Sequence, residues 1–153
     1  MALVQDMLSS QLEHGWLGGP YPSSVSESGQ RFADAVSQWL ALGQAAGFPC
    51  ATALARRAEL AATAAAALSL QSAAAAGAQL ALAVASYIAG QSFGAGAAGF
   101  PAAAPAAVAE VSAVFADTAS PVAARAQRIA TACTLMAATT VVAGPPPFPG
   151  PIV

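Results

Sequence analysis

The longest uncharged stretch of the chain lies between Glu59 and Glu110 and consists mostly of alanine, with scattered Leu, Ser, Gln and Gly. Alanine has the highest helix propensity, so the stretch favours helix. Its small side chains let helices approach closely but bury little apolar area per residue. Because 57% of the chain is hydrophobic and 8% is charged, we expect a folded, helical protein rather than a disordered one.

Few side chains are suited to acid–base, metal or phosphate chemistry. The chain has no Lys or Asn, and its one histidine, His14, forms no recognisable catalytic group with Glu13 and the distant Asp34. Cys50 and Cys133 are spaced for neither a zinc site nor a redox motif, so they are interpreted as buried apolar residues or as a disulfide. We therefore expect no enzymatic activity, no cofactor, no metal and no small-molecule substrate.

The charge pattern also limits the partners. Five Lys and Arg in total and a formal net charge of -2 provide no basic patch, so we expect no nucleic-acid partner. Within the uncharged region 60–109, residues 73–90 have about the length of a short membrane span. Polar residues such as Gln79 and Ser86 interrupt it, and no Lys/Arg cluster flanks it, so we do not expect a membrane partner. A small holin-like membrane protein with 60–109 inserted is the alternative hypothesis.

Glycine, proline and capping residues divide the chain into four or five predicted helices. No stretch alternates polar and apolar residues as a strand does, and only Val141-Val142 favours strand locally, so we expect no β-sheet. The prediction is an all-α bundle of four to five helices, in a single domain of residues 1–144. The predicted helices run from Ala2 to Glu13, from a cap at Ser26 or Ser28 to about Ala46, from Ala51 to about Gly90, from Pro105 to about Ala116, and from a cap at Ser120, with Pro121 first in the helix, to Gly144.

The helix predicted between Ala51 and Gly90 is unusually long. Leu54, Leu68 and Leu82 recur in one heptad phase, which indicates a single helix of about 60 Å. A domain of this size cannot cover such a length, so either the helix breaks near Gly77 or other subunits cover it. The large apolar residues are found on other helices, and we expect one core formed by Phe32, Val36, Trp39, Leu40, Val122, Ile129 and Met136.

Residues 145–153, Pro-Pro-Pro-Phe-Pro-Gly-Pro-Ile-Val, are too rich in proline to form a helix. Proline fixes the backbone and lowers the entropy lost on docking, while the apolar side chains have no reason to lie in a solvated tail. We therefore predict an extended C-terminal arm that binds another chain, with folding back onto its own bundle as the alternative. The predicted partner-binding residues are Pro145, Pro146, Pro147, Phe148, Ile152 and Val153.

Three segments in order carry a resemblance to a known class of protein. Phe32-Ala-Asp-Ala-Val with Trp39 precedes the alanine-rich region, and the proline-rich terminus follows Met136-Ala-Ala-Thr-Thr-Val-Val. Over most of its length the chain resembles the small alanine-rich proteins encoded among virion morphogenesis genes of tailed bacteriophages. The resemblance implies a structural component of the neck, tail or baseplate, which assembles in the host cytoplasm with copies of itself and other virion proteins. It transfers no site residues.

Overall fold

The computed structural model describes residues 3–153, which form six α-helices and six short β-strands. The helices are α1 (Gln5–Leu12), α2 (Val25–Ala41), α3 (Arg57–Leu68), α4 (Ala73–Ile88), α5 (Ala104–Ala116) and α6 (Val122–Ala138). The strands are β1 (Gln44–Ala45), β2 (Phe48–Pro49), β3 (Ser92–Phe93), β4 (Gly96–Ala98), β5 (Val141–Ala143) and β6 (Gly150–Pro151). The prediction of a mostly helical bundle is confirmed, but the fold is not purely α-helical.

A unit of two helices followed by a β-hairpin occurs three times along the chain. Helices α1 and α2 precede the hairpin β1–β2, α3 and α4 precede β3–β4, and α5 and α6 precede β5–β6. Each helix packs against its neighbours in sequence, and α6 also packs against α1. The helices therefore form a closed ring.

The second helices of the three units, α2, α4 and α6, bury the same positions. Counted from the first residue of each helix, the eighth residue is Phe32, Leu80 or Ile129, and all three are buried around one void too small for water. The twelfth, fifteenth and sixteenth residues are also buried in every case, a spacing that places them on one helix face. In α2, α4 and α6 respectively, the twelfth residues are Val36, Val84 and Cys133. The fifteenth are Trp39, Tyr87 and Met136, and the sixteenth are Leu40, Ile88 and Ala137.

The predicted core is confirmed for six of its seven members, which are buried in one cluster. The exception is Val122, which is 37% exposed because it is the first residue of α6.

Glycine allows two of the helix pairs to pack at backbone contact. The fifth residue is Gly29 in α2 and Gly77 in α4. A Cβ atom on Gly29 would lie 2.6 Å from the carbonyl oxygen of Ala61 in α3, and one on Gly77 would lie 2.5 Å from that of Val111 in α5. Neither position can carry a side chain without moving the helices apart.

The predicted single helix from Ala51 to Gly90 is wrong, because the chain breaks between α3 and α4 and the two halves pack against each other. The break lies at Ser69–Ser72 rather than at Gly77, which is inside α4. The Ser72 hydroxyl accepts a hydrogen bond from the backbone N–H of Ala75 at 3.3 Å and so caps α4. Two short helices can cover each other, whereas one long helix would leave most of its surface uncovered.

Helix boundaries elsewhere differ in detail from the predictions. Ala2 lies outside the described residues; α1 begins at Gln5 and continues into a π-helical turn, Glu13–Leu17. Helix α2 is capped by Ser24 and ends at Ala41. Ser120 does not cap α6, because Pro121 has an extended backbone and the Ser120 hydroxyl donates to the Asp117 carboxylate instead.

The prediction that the chain has no β-sheet is wrong. Strands β3, β4, β5 and β6 form a four-stranded antiparallel sheet in that order, and β1 pairs with β2. Cys50, directly after β2, pairs with Phe93 in β3. Val153 and Gln44 of β1 exchange two backbone hydrogen bonds of 2.8 Å. The three hairpins thus close into one ring, built from strands of two or three residues that are too short to show an alternating sequence pattern.

Replacing Gly77 by alanine should destabilise the protein, although alanine favours helix by about 1 kcal/mol. The added methyl group would meet the Val111 carbonyl and the Phe115 side chain, so we expect a net loss of about 1–3 kcal/mol in the free energy of unfolding. Denaturant unfolding followed by circular dichroism measures this loss. Gly15→Ala is the matched control, because nothing lies within 4 Å of its Cβ position. A Gly77→Ala variant as stable as the wild type would contradict the close approach of α4 and α5.

Candidate interaction surface at the hairpin ring

The three β-hairpins follow the C-terminal ends of α2, α4 and α6, and together they form one end of the molecule. The hairpins lie in the segments 42–55, 88–103 and 139–153. These segments contain no Asp, Glu, Lys or Arg. These three segments are called the hairpin ring below. The ring therefore has no charged side chain.

Apolar side chains fill the inside of the ring. Phe93, Val142 and Ile152 are buried, and Phe148 is only 8% exposed. A Cβ atom on Gly96 would lie 2.7 Å from both the Phe148 ring and the Val142 side chain, so glycine is needed there for Phe148 to pack. These side chains belong to the same hydrophobic core as the buried residues of the helices.

The six predicted partner-binding residues divide into two groups. Phe148 and Ile152 are buried in the core of their own chain, whereas Val153 is 53% exposed and residues 145–147 are exposed at the tip of the hairpin β5–β6. The predicted extended arm is therefore wrong: residues 145–153 fold back, because burying two large side chains and pairing β6 with β5 offset the entropy of ordering the segment. Whether the exposed members contact another chain stays a prediction.

Phe48 lies where the three hairpins meet. Its ring is 5.8 Å from that of Phe148 in the third hairpin, and it covers Gly94 in the second, where a Cβ atom would come within 2.7 Å of it. Phe48 is nevertheless 40% exposed. Aromatic residues, phenylalanine among them, are enriched in protein interfaces relative to the rest of the surface.

Other exposed residues of the hairpin ring are also apolar or small. Surface of this kind can be buried against a partner without removing a charge from water. The exposed residues of the hairpin ring include Ala46, Gly47, Gly94, Ala95, Val141, Val153 and residues 145–147.

A buried polar network joins the ring to the helices. The Gln91 side chain is fully buried; its Nε2 donates to the Tyr87 carbonyl at 2.8 Å and its Oε1 accepts from the Thr52 hydroxyl at 2.6 Å. Arg56 donates to the carbonyls of Tyr87 and Ala89, at 3.1 and 3.0 Å. These bonds satisfy the C-terminal end of α4, so the network positions the second hairpin.

The cysteines are free thiols, and both are buried. Burial raises the pKa of the Cys50 thiol, and it raises that of Cys133 to about 12. Both are therefore protonated at neutral pH, whereas a nucleophilic cysteine needs the thiolate form. Of the two interpretations from the sequence, the structure therefore supports buried apolar residues and not a disulfide.

His14 is exposed in a groove between α1 and α2 that is also lined by Arg31 and Asp34. Its Nδ1 lies 2.9 Å from the Ser10 carbonyl oxygen, to which it donates as the protonated nitrogen. Nearby, Arg31 pairs with Glu27, and Asp34 pairs with Arg57 at 3.1 Å. In the part of the chain that the structure describes, no three His, Cys, Asp or Glu side chains are grouped to hold a metal ion.

Comparison with known proteins gives no relative. No protein-family model matches the chain, and no curated protein or solved structure is significantly similar to it. Within residues 3–153, none of the helices combines the length and the apolarity needed to cross a membrane. The likeness to phage proteins accordingly stays a prediction from sequence features.

One sequence signal of the hairpins was missed. Gly-Gln follows both α2 and α4, at 43–44 and 90–91. Ala-Ala-Gly-Phe-Pro also recurs, although at 45–49 it spans the hairpin β1–β2, whereas at 97–101 it begins in β4 and runs beyond the second hairpin. A repeated string after each of two helices indicates that the same supersecondary unit occurs twice. The third unit carries neither string and is visible only in the structure.

Replacing Phe148 by alanine should cost about 3 kcal/mol in the free energy of unfolding, because it empties the ring around Gly96. Denaturant unfolding measures the change. The matched control is Val141→Ala in the neighbouring strand, since Val141 is 56% exposed and should shift stability by less than about 0.5 kcal/mol. Equal stabilities of the two variants would contradict the packing of Phe148 in the core of its own chain.

Proposed function

We propose that this protein is a non-enzymatic structural subunit of a symmetric assembly, and specifically a virion component of a tailed bacteriophage, in the neck, tail or baseplate. The observation that carries the proposal is the hairpin ring, a neutral surface that exposes Phe48 at the meeting point of three hairpins. The sequence resemblance supports the phage assignment. We propose that the protein assembles with other virion proteins and with copies of itself.

The rigidity of the ring supports a role in assembly. Its tips are held by the closed strand pairing, by the Gln91 network and by the packing of Phe148, so little conformational entropy is left to lose on binding. The prolines at 145–147 restrict the third tip further. A surface that is ordered in advance can bind a neighbour tightly over a small area.

The distribution of polar groups supports a non-enzymatic role. Arg31, Arg56 and Arg128 pair with acidic residues of the same chain, and the two thiols are buried and protonated. The exposed His14 donates from Nδ1 to the Ser10 carbonyl, so this nitrogen is not free to accept the proton of the Ser10 hydroxyl, which lies 3.5 Å from it. These groups stabilise the fold, and the exposed ring offers apolar contact instead of chemistry.

The double variant Ala95→Asp/Pro145→Asp tests the proposal, because it places charge on two exposed tips of the ring without touching its core. We expect at least about a tenfold loss of the protein from purified particles of the encoding phage, since an unpaired charge buried at an interface is costly. Mass spectrometry of the particles measures its content, and circular dichroism checks the fold.

The matched control is Ala123→Asp, which adds a charge in the first turn of α6, at the end of that helix opposite the ring. It should be incorporated like the wild type. Wild-type incorporation of the double variant would show that the ring is not the contact surface. Particles that lack even the wild-type protein would reject the virion role.

A further inference from the structure

The three joints between the units of the helix ring are not alike. At the first two joints the chain is continuous and a glycine brings the helices to backbone contact, Gly29 against α3 and Gly77 against α5. The third joint, between α6 and α1, has no covalent link, and the fifth residue of α6 is the buried Ala126 instead of a glycine. Only packing and the backbone bonds of Val153 to Gln44 therefore close the ring at this joint.

Residues 3–17, called the N-terminal arm below, comprise α1 and the π-helical turn. The arm packs more extensively against α6 of the third unit than against α2 of its own unit. Leu12 is completely buried and Trp16 is 7% exposed, and Gln5 Nε2 donates to the Thr131 hydroxyl of α6 at 2.9 Å. The core is therefore incomplete without an arm, yet the arm is joined to the rest of the molecule by a single loop.

The junction between the arm and α2 has two unusual features. The arm ends in the π-helical turn, Glu13–Leu17, a conformation that is rare and often occurs at functional sites. Gly18 and Gly19 then reverse the chain so tightly that Cβ atoms there would lie 2.7 and 2.8 Å from carbonyl oxygens of this turn. Unwinding the turn and rotating the chain at the two glycines would move the arm while leaving α2 intact, because Ser24 caps that helix independently. The junction thus has the features of a hinge.

Tyr21 directly follows the hinge, and its side chain is 97% exposed. Its backbone is nevertheless held in place, because Pro20 and Pro22 flank it and Arg31 donates to the Pro20 carbonyl. A large aromatic ring on a fixed backbone, almost wholly uncovered by its own chain, is suited to a contact between chains, where tyrosine is enriched.

We propose that two copies of this chain exchange their N-terminal arms, so that each arm packs against α6 of the other copy and the residues Gly18 and Gly19 act as the hinge. The inference rests on the proposed structural function, because it names a contact between copies. An exchanged arm makes the same contacts in the other copy as in its own chain, so the two surfaces already match in shape and in hydrogen bonding. This match selects a second copy as the partner, because an unrelated protein does not present the same arm.

The free energy of the exchange depends on what differs between the two forms. The contacts of the arm are the same in both, so new contacts must offset the entropy that is lost on association. The segments after the two hinges run past each other in the exchanged dimer, and their Tyr21 rings supply these contacts. Exchange also requires the arm to leave the core, where Leu12 and Trp16 are buried, so monomer and dimer interconvert slowly.

The double variant Gln5→Cys/Thr131→Cys tests the exchange directly. The two native side chains lie within hydrogen-bonding distance, Thr131 is exposed and Gln5 is partly exposed, so a short bismaleimide can link the introduced thiols. The purified full chain is refolded at millimolar concentration, and the dimer is isolated by gel filtration and treated with the linker. On a denaturing gel we expect two chains joined to each other, because each linked pair then spans both copies. The wild-type chain, whose own thiols are buried, is the control for the linker.

The variant Tyr21→Ser measures the contact between the crossing segments. It should fold as stably as the wild type, since its side chain is almost fully exposed, but should shift the equilibrium at least about tenfold toward monomer. Sedimentation equilibrium measures the shift. The matched control is Leu70→Ser, which changes an exposed residue in the corresponding turn of the second unit and should dimerise like the wild type.

Removal of Gly18 and Gly19 should shift the equilibrium in the other direction, because the shortened chain cannot turn the arm back onto its own core. If the shortened chain does not fold, the linked cysteines and Tyr21→Ser still decide the matter.

Three results would overturn the inference: a wild type that stays monomeric at millimolar concentration, a dimer in which every link lies within one chain, or a Tyr21→Ser variant that dimerises like the wild type. The fate of the proposed function is read separately. Links between chains in a protein that is absent from particles of the encoding phage reject the virion role alone. Protein that enters the particles but forms links only within one chain rejects the exchange alone.

Discussion

The packing of α2, α4 and α6 around Phe32, Leu80 and Ile129 is the interaction on which the rest of this structure depends. A chain so rich in alanine buries little apolar area per residue, and these three helices carry most of its large buried side chains. The first helices of the units add fewer large residues and gain stability by close approach instead. Gly29 and Gly77 permit that approach, since they let α3 reach backbone contact with α2 and α5 reach backbone contact with α4.

The hairpin ring is a consequence of this arrangement. Strands of two or three residues have almost no stability of their own, and an isolated hairpin is marginal even when it is longer. Here each hairpin follows a helix whose position is fixed by the core, so closing the ring costs little additional entropy. The bonds of Val153 to Gln44 and of Cys50 to Phe93 then remove the exposed strand edges between units.

This dependence explains what could be predicted from the sequence. The helical character of the chain and six of the seven core residues could be predicted because apolar residues recur at helical spacing, which is a local property. The break between α3 and α4 could not, because alanine favours helix on both sides of it. The strands were missed because two residues cannot show a period, and their pairing is decided by helices far away in sequence. For residues 145–153 the sequence identified Phe148 and Ile152 as side chains that must be buried, but the partner surface, their own chain, depends on the ring. For the exposed prolines and Val153, a role in binding another chain stays a prediction.

Repetition of one unit separates the residues that form the fold from those free to vary. The eighth, twelfth, fifteenth and sixteenth positions of the second helices are buried in all three units, so they are constrained by one shared core. The seventh and tenth positions line the groove between α1 and α2 in the first unit and the groove between α3 and α4 in the second. Arg31 and Asp34 of the first unit correspond there to Gln79 and Leu82 of the second, although both helices bury the same positions. The hairpin tips differ just as freely, with Phe48 in one unit and prolines in another. Since the three units share their buried positions, the exposed side chains, charged on some helices and apolar at the hairpin tips, are what distinguish one surface of this protein from the next.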